Sequence, residues 1–203
     1  MKRAGTVAVT AAALAAVLAV GGCSSGGGPG EDPKVSAERA AKEKAERERE
    51  EKAEREARAE RERIEKDRAA MTAVAVKFRT AVNAHDGRTA CPLKTVEGRY
   101  GDSLEKCHDF YKPPGGRKPD TEQRTKVTVT GGPVTVPPFE NHPGGTGLMV
   151  TQETPGDGGR VHVKRDALRM VKVDGAWLVD QDKEVLDSEM SDPSPVRSAL
   201  TRP

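Results

Sequence analysis

The chain reads as an α+β protein in which a long N-terminal charged helix leads into helices and then a run of strands. Three observations predict this class. Residues 38–68 are almost entirely Glu, Lys, Arg and Ala, which are strong helix formers. Met71, Val74, Phe78 and Val82 then recur at helical spacing and mark one apolar face. From Val127 onward, valines alternate with polar residues as far as Asp174-Gly175, a strong hairpin signal. Helices first and antiparallel strands afterwards is an arrangement in which helices cover a sheet face.

Composition limits how much of the chain can be globular. With 33% charged and 3% aromatic residues, 203 residues suffice for one domain plus appendages. Beyond the N-terminal segment the apolar residues concentrate after Met71, leaving about 120 residues to build a modest core. The formal charge of +2 falls to about zero without Lys2 and Arg3. No basic surplus is left to recruit nucleic acid.

Lys2 and Arg3 precede an Ala/Val/Leu run that ends at Val20-Gly21-Gly22-Cys23. A spanning helix needs about 20 apolar residues, and this run is shorter. Ala19-Val20-Gly21 could serve an ordinary secretory cleavage site. The stretch as a whole resembles the signal and lipobox of bacterial lipoproteins. That resemblance implies a signal peptide over residues 1–22, a diacylglyceryl group on the Cys23 thiol and an anchor on the extracytoplasmic face of the cell membrane. Residues 23–35, rich in Gly, Ser and Pro, form a flexible tether.

With Cys23 lipidated, Cys91 and Cys107 are an even pair in an oxidising compartment, and a disulfide is expected. The rival is a metal site with His85 or His108, but the cysteine spacing matches no zinc pattern. No metal or cofactor is expected.

Asp32-Pro33 or Ser36 offers the helix start. Residues 36–68 read as a charged single-helix spacer. Pairs such as Glu38/Lys42, Glu48/Lys52 and Glu62/Lys66 place the acid four residues before the base. Without an apolar heptad, a coiled-coil seam has little to bury. Continued to Ala84, the helix would have roughly 50 residues and span about 75 Å. It should stop at His85-Asp86-Gly87, with Gly87 as a left-handed cap.

The folded domain is expected over residues 69–190. A short helix around Cys91 precedes Asp102-Ser103-Leu104-Glu105, which resembles a capping box. It opens a helix that places Leu104, Cys107, Phe110 and Tyr111 on one side, and a Pro/Gly loop follows. Gly131-Gly132 should turn between strands, and Arg165-Asp166 should bulge a long strand over residues 160–173. Trp177 lies in the closing strand. Residues 183–190 suggest a short helix and residues 191–203 a disordered tail.

This element order, the cysteine pair and the Val173-Asp174-Gly175-Ala176-Trp177-Leu178-Val179-Asp180 hairpin resemble the NTF2-like (SnoaL-like) domains of many bacterial lipoproteins. The resemblance implies helices packed on a strongly curved antiparallel sheet, forming a cone whose pocket Phe78, Met170 and Trp177 would line. Some members are isomerases or cyclases that use an acid or histidine there. Asp166, His162, Asp109 and His108 match no such position, and each has a structural explanation: Asp166 at a bulge, His162 on an outward strand face, Asp109 and His108 on an exposed helix side. No catalytic residue is assigned, and no phosphate loop, GxSxG or HExxH motif occurs.

The functional expectation is therefore a lipid-anchored, non-catalytic binding or interaction module in the cell envelope. Its partners would be the membrane, through the anchor, and an envelope protein or cell-wall component. The alternative is a small-molecule binder or enzyme using the conical pocket.

Overall fold

The computed structural model describes residues 33–101, 103–113, 115 and 125–203. The expected signal peptide, Cys23, the tether up to residue 32 and most of the Pro/Gly loop lie outside the described residues. The chain divides into two compact units, Met1–Lys52 and Ala53–Pro203.

Helix α1 spans Pro33–Asn83 and begins at the earlier of the two expected starts, so it includes the last residues assigned to the tether. From residue 37 to residue 66 every side chain is exposed. Ion pairs run along this surface, among them Arg58–Glu62 at 3.0 Å and Arg63–Glu60 at 2.6 Å. At Met71 the helix acquires a buried stripe of Met71, Ala75, Phe78 and Ala81. Burying a side chain such as Phe78 contributes about 1.5–3 kcal/mol.

The helix ends differently from expectation. His85, not Gly87, takes the positive φ of 55°, and Asp86 caps α2 (Gly87–Ala90) by accepting from the Thr89 amide at 3.1 Å. Gly87 is needed for another reason: a Cβ there would lie 2.9 Å from His108 Cα.

A 3-10 turn, Cys91–Leu93, follows, and α3 (Leu104–Phe110) starts where Ser103 accepts from the Lys106 amide. The expected disulfide joins Cys91 to Cys107, both fully buried, with Cα atoms 6.0 Å apart. Of the four residues expected on the inner side of α3, Cys107 and Tyr111 are buried. Leu104 and Phe110 are exposed. Position 110 lies 100° from 111 around the helix, and Phe110 instead stacks on Tyr100 with centroids 3.8 Å apart.

Four antiparallel strands, β1 (Lys126–Val136), β2 (Gly145–Pro155), β3 (Val161–Val173) and β4 (Ala176–Glu184), form one sheet in sequence order. The expected α+β class is the class observed. Gly131-Gly132 does not turn between strands but breaks the register inside β1. Nor does β3 bulge at Arg165-Asp166, where the pairing of Thr151 with Arg165 and Val150 with Asp166 is continuous. The irregularity is in β4. Arg169 pairs with Gln181 and Met170 with Val179, so Asp180 is the extra residue.

The sheet has apolar clusters on both faces. Met71, Ala75, Phe78 and Cys107 pack with Leu148, Val150, Leu168, Met170 and Val179 on one. On the other, Val136, Ala167 and Val185 meet Val196, Ala199 and Leu200. These last three belong to α4 (Pro195–Leu200), which corrects the expectation of a disordered tail. Their spacing of three and four residues gives even this short helix one buried side. Gly147 admits it, because a Cβ there would lie 2.6 Å from Val196 Cγ1. The expected helix over residues 183–190 is likewise absent: β4 continues to Glu184, and a 3-10 turn forms at Glu189–Ser191.

Candidate functional site

Between α1 and the sheet lies a cluster of charged groups. Arg79 follows Met71 and Ala75 at four-residue steps on the buried stripe of α1, so its guanidinium is carried inward. Asp166 on β3 and Asp182 on β4 face it from the sheet. Arg79 Nη2 is 3.0 Å from Asp166 Oδ2, and Nη1 is 3.7 Å from Asp182 Oδ2. Lys94, just beyond the 3-10 turn, donates to Asp182 Oδ1 at 2.5 Å. Gln152 on β2 donates to Asp166, and Lys164 approaches Glu184 at 3.3 Å.

Two cations and two carboxylates thus neutralise one another away from water, as buried ions require. Burial still outweighs Arg79 at Asp166 and holds its carboxyl above the usual range. Burial, reinforced by Asp182, pushes the Tyr100 phenol up to about 12 and raises Tyr111 further.

The β4 irregularity creates the second part of the site. A bulge takes a residue out of strand alternation and re-aims its side chain. Asp180, 1% exposed, accepts from Thr95 Oγ1 at 2.9 Å through one carboxylate oxygen. Its other oxygen lies 2.8 Å from His142 Nδ1. The Thr95 amide donates to Val179 O, tying this segment to the edge of β4. Gly98 is pressed so closely on β4 that a Cβ would come within 2.0 Å of Asp180 O.

His142 sits in the loop after β1, which Arg169 fixes from beneath. Wholly buried on β3, Arg169 donates to Pro137 O at 2.6 Å, Pro143 O at 2.7 Å, Leu200 O at 3.1 Å and Gln181 Oε1 at 3.1 Å. His142, Asp180, Lys94 and Tyr100 border a cleft of about 260 Å³. A carboxylate on Nδ1 fixes the ring orientation. Among the described residues no cluster of His, Cys, Asp and Glu could hold a metal ion.

The residues singled out from sequence are distributed as follows. Phe78 and Met170 are fully buried in the core beneath the helices. Met170 and Trp177 also border a cavity of about 380 Å³ with Asp180, and Phe78 supplies a ring 5.4 Å from Lys94 Nζ. Asp166 is an ion-pair partner in a regular strand and not a bulge residue. His162 and Asp109 are exposed, while His108 is half-buried. Cys23 lies outside the described residues.

Arg79, Lys94, His142, Asp180 and Asp182 were missed. For Arg79 a signal existed, since it falls within the apolar stripe of α1. For His142, 38 residues from Asp180, there was none.

No family model matches the chain, and no curated protein matches it. Similar solved structures include an NTF2-like protein with a cystatin-like fold from Novosphingobium aromaticivorans, 14% identical, with a TM-score of 0.43 over 71% of this chain and 94% of that one. Another is a Mycobacterium tuberculosis protein of unknown function, 12% identical, with a TM-score of 0.40 over 68% of this chain and 87% of that one.

Proposed function

We propose that the protein is a lipid-anchored extracytoplasmic lipoprotein whose NTF2-like domain is a non-catalytic binding or interaction module of the cell envelope. In this reading Cys23 carries the anchor and residues 36–68 are a spacer that gives the domain reach. The observation that carries it is the exposure of every side chain from residue 37 to residue 66. A helix that is polar all round and carries its own i,i+3 and i,i+4 ion pairs is suited to bridging through solvent. So many residues in such a helix suit a partner at a distance and offer little to an enzyme with a diffusing substrate.

The chain should sediment with membranes, and Cys23→Ser should abolish that association together with the acyl mass on Cys23. Removing residues 43–60, about five helical turns at 3.6 residues each, should leave the domain folded while it loses crosslinks to its envelope partner. A soluble, unmodified wild-type product would overturn the anchor. Undiminished crosslinking after the deletion would overturn the spacer.

One observation favours the second reading, a small-molecule site: the His142–Asp180 pair on its cleft. Under that reading His142→Gln abolishes ligand turnover or binding without altering crosslinks to an envelope partner.

A further inference from the structure

A groove separate from the His142 cleft lies between α1 and the hairpin that joins β3 to β4. Its volume is about 630 Å³, within the range of about 300–1,000 Å³ typical of small-ligand sites. The floor is apolar: Ala70 and Val74 from α1, Leu93 from the 3-10 turn, and Trp177 and Leu178 from β4. At one end stand Arg63, Lys66 and Asp67.

The charges at that end are not equivalent. Arg63 is held by Glu60 through two hydrogen bonds of 2.8 and 2.6 Å. Asp67 is held by Lys172 through two of 2.7 and 2.9 Å. Each pair is locally neutral. Lys66 makes no ion pair among the described residues, its expected partner Glu62 being taken by Arg58, and it is the remaining cation at that end.

From this combination we propose that the groove binds a single-chain anionic amphiphile of the fatty-acid class, with its alkyl chain along Val74, Leu93 and Trp177 and its head at Lys66. An apolar trough gains from covering an alkyl chain, at about 0.8 kcal/mol per buried methylene. One exposed cation at its end selects the sign of the head group. A neutral apolar ligand would leave Lys66 without a role, and a cationic one would meet Lys66 as a like charge. The inference is independent of the anchor, since it concerns only the stretch of α1 from Arg63 to Val74 and the elements beside it.

Trp177 is the only tryptophan of the chain, so intrinsic fluorescence reports on the groove directly. The purified full chain should be titrated with dodecanoate below its micelle concentration, and in parallel with dodecyltrimethylammonium, which has the same chain length and the opposite charge. The expected result is a saturable blue shift with dodecanoate and at least tenfold weaker binding of the cation. Lys66→Glu, on the exposed side of α1, should reverse that preference. Ala70→Leu, which fills the trough, should weaken both ligands. No saturable shift with dodecanoate, equal affinity for the two heads, or an unchanged preference in Lys66→Glu would each overturn the proposal.

Discussion

Arg79 Nη2 on α1 stands 3.0 Å from Asp166 Oδ2 on β3, with the two side chains only 9% and 4% exposed. The pair joins the helical half of the domain to the sheet in surroundings where neither charge has water to fall back on. Removing one partner strands the other, which costs about 3–5 kcal/mol. Arg79→Met should therefore lower the urea midpoint by that equivalent, and adding Asp166→Leu should recover a substantial part of the loss. A double variant no more stable than Arg79→Met would show that the surrounding groups, rather than the pair, hold this position.

Asp166 also predicts a pH dependence. Its carboxyl titrates higher in the folded chain than in the unfolded one because burial outweighs the nearby cations. In the window above the unfolded value of about 3.9, the folded state then holds the proton more often than the unfolded state. Stability from this group is full below that value and is lost as pH rises through the folded value. The stability of wild type relative to Asp166→Asn should accordingly fall as pH increases from about 4 toward neutrality. Denaturation midpoints of both proteins across that range test the sign, and a rising difference would contradict it.

The Cys91–Cys107 bridge ties the 3-10 turn to α3 across 16 residues of sequence. In the chain-entropy account, closing such a loop contributes about 3 kcal/mol. Reduction, or replacement of both cysteines by alanine, should lower the urea midpoint by a matching amount with little change in far-UV circular dichroism. A negligible shift would mean that packing of α2 and α3 suffices without the bond.

Leu200, fully buried among Val136, Ala167 and Val185, predicts that the C-terminal segment is part of the domain. Leu200→Ala should cost about 2–5 kcal/mol. Truncation before Ser194 should be worse, because it also removes the Leu200 carbonyl that accepts from the buried Arg169. Thermal melts of the two variants distinguish this from a dispensable tail, for which neither change would matter.

Local patterns were readable wherever one segment supplied its own periodicity. The charged run of α1, the amphipathic stripe that begins at Met71, the Ser103 cap and the Asp174-Gly175 hairpin all depend on neighbours within a few residues. Val196, Ala199 and Leu200 had helical spacing too, but their place at the end of the sequence suggested a tail. What decides their order is the surface they find on β2 and β3, including the missing side chain at Gly147.

Sequence alone determined the α+β class, the all-polar helix and the pairing of Cys91 with Cys107, because these follow from composition, short-range spacing and the cysteine count. Only the tertiary structure decided that Arg79, Lys94, Asp166 and Asp182 share one buried cluster and that the bulge at Asp180 turns a strand residue toward His142. Those groups come from distant parts of the chain, and whether a charge is solvated or paired is set by what packs over it. Neither a residue's identity nor its neighbours in the chain contains that information.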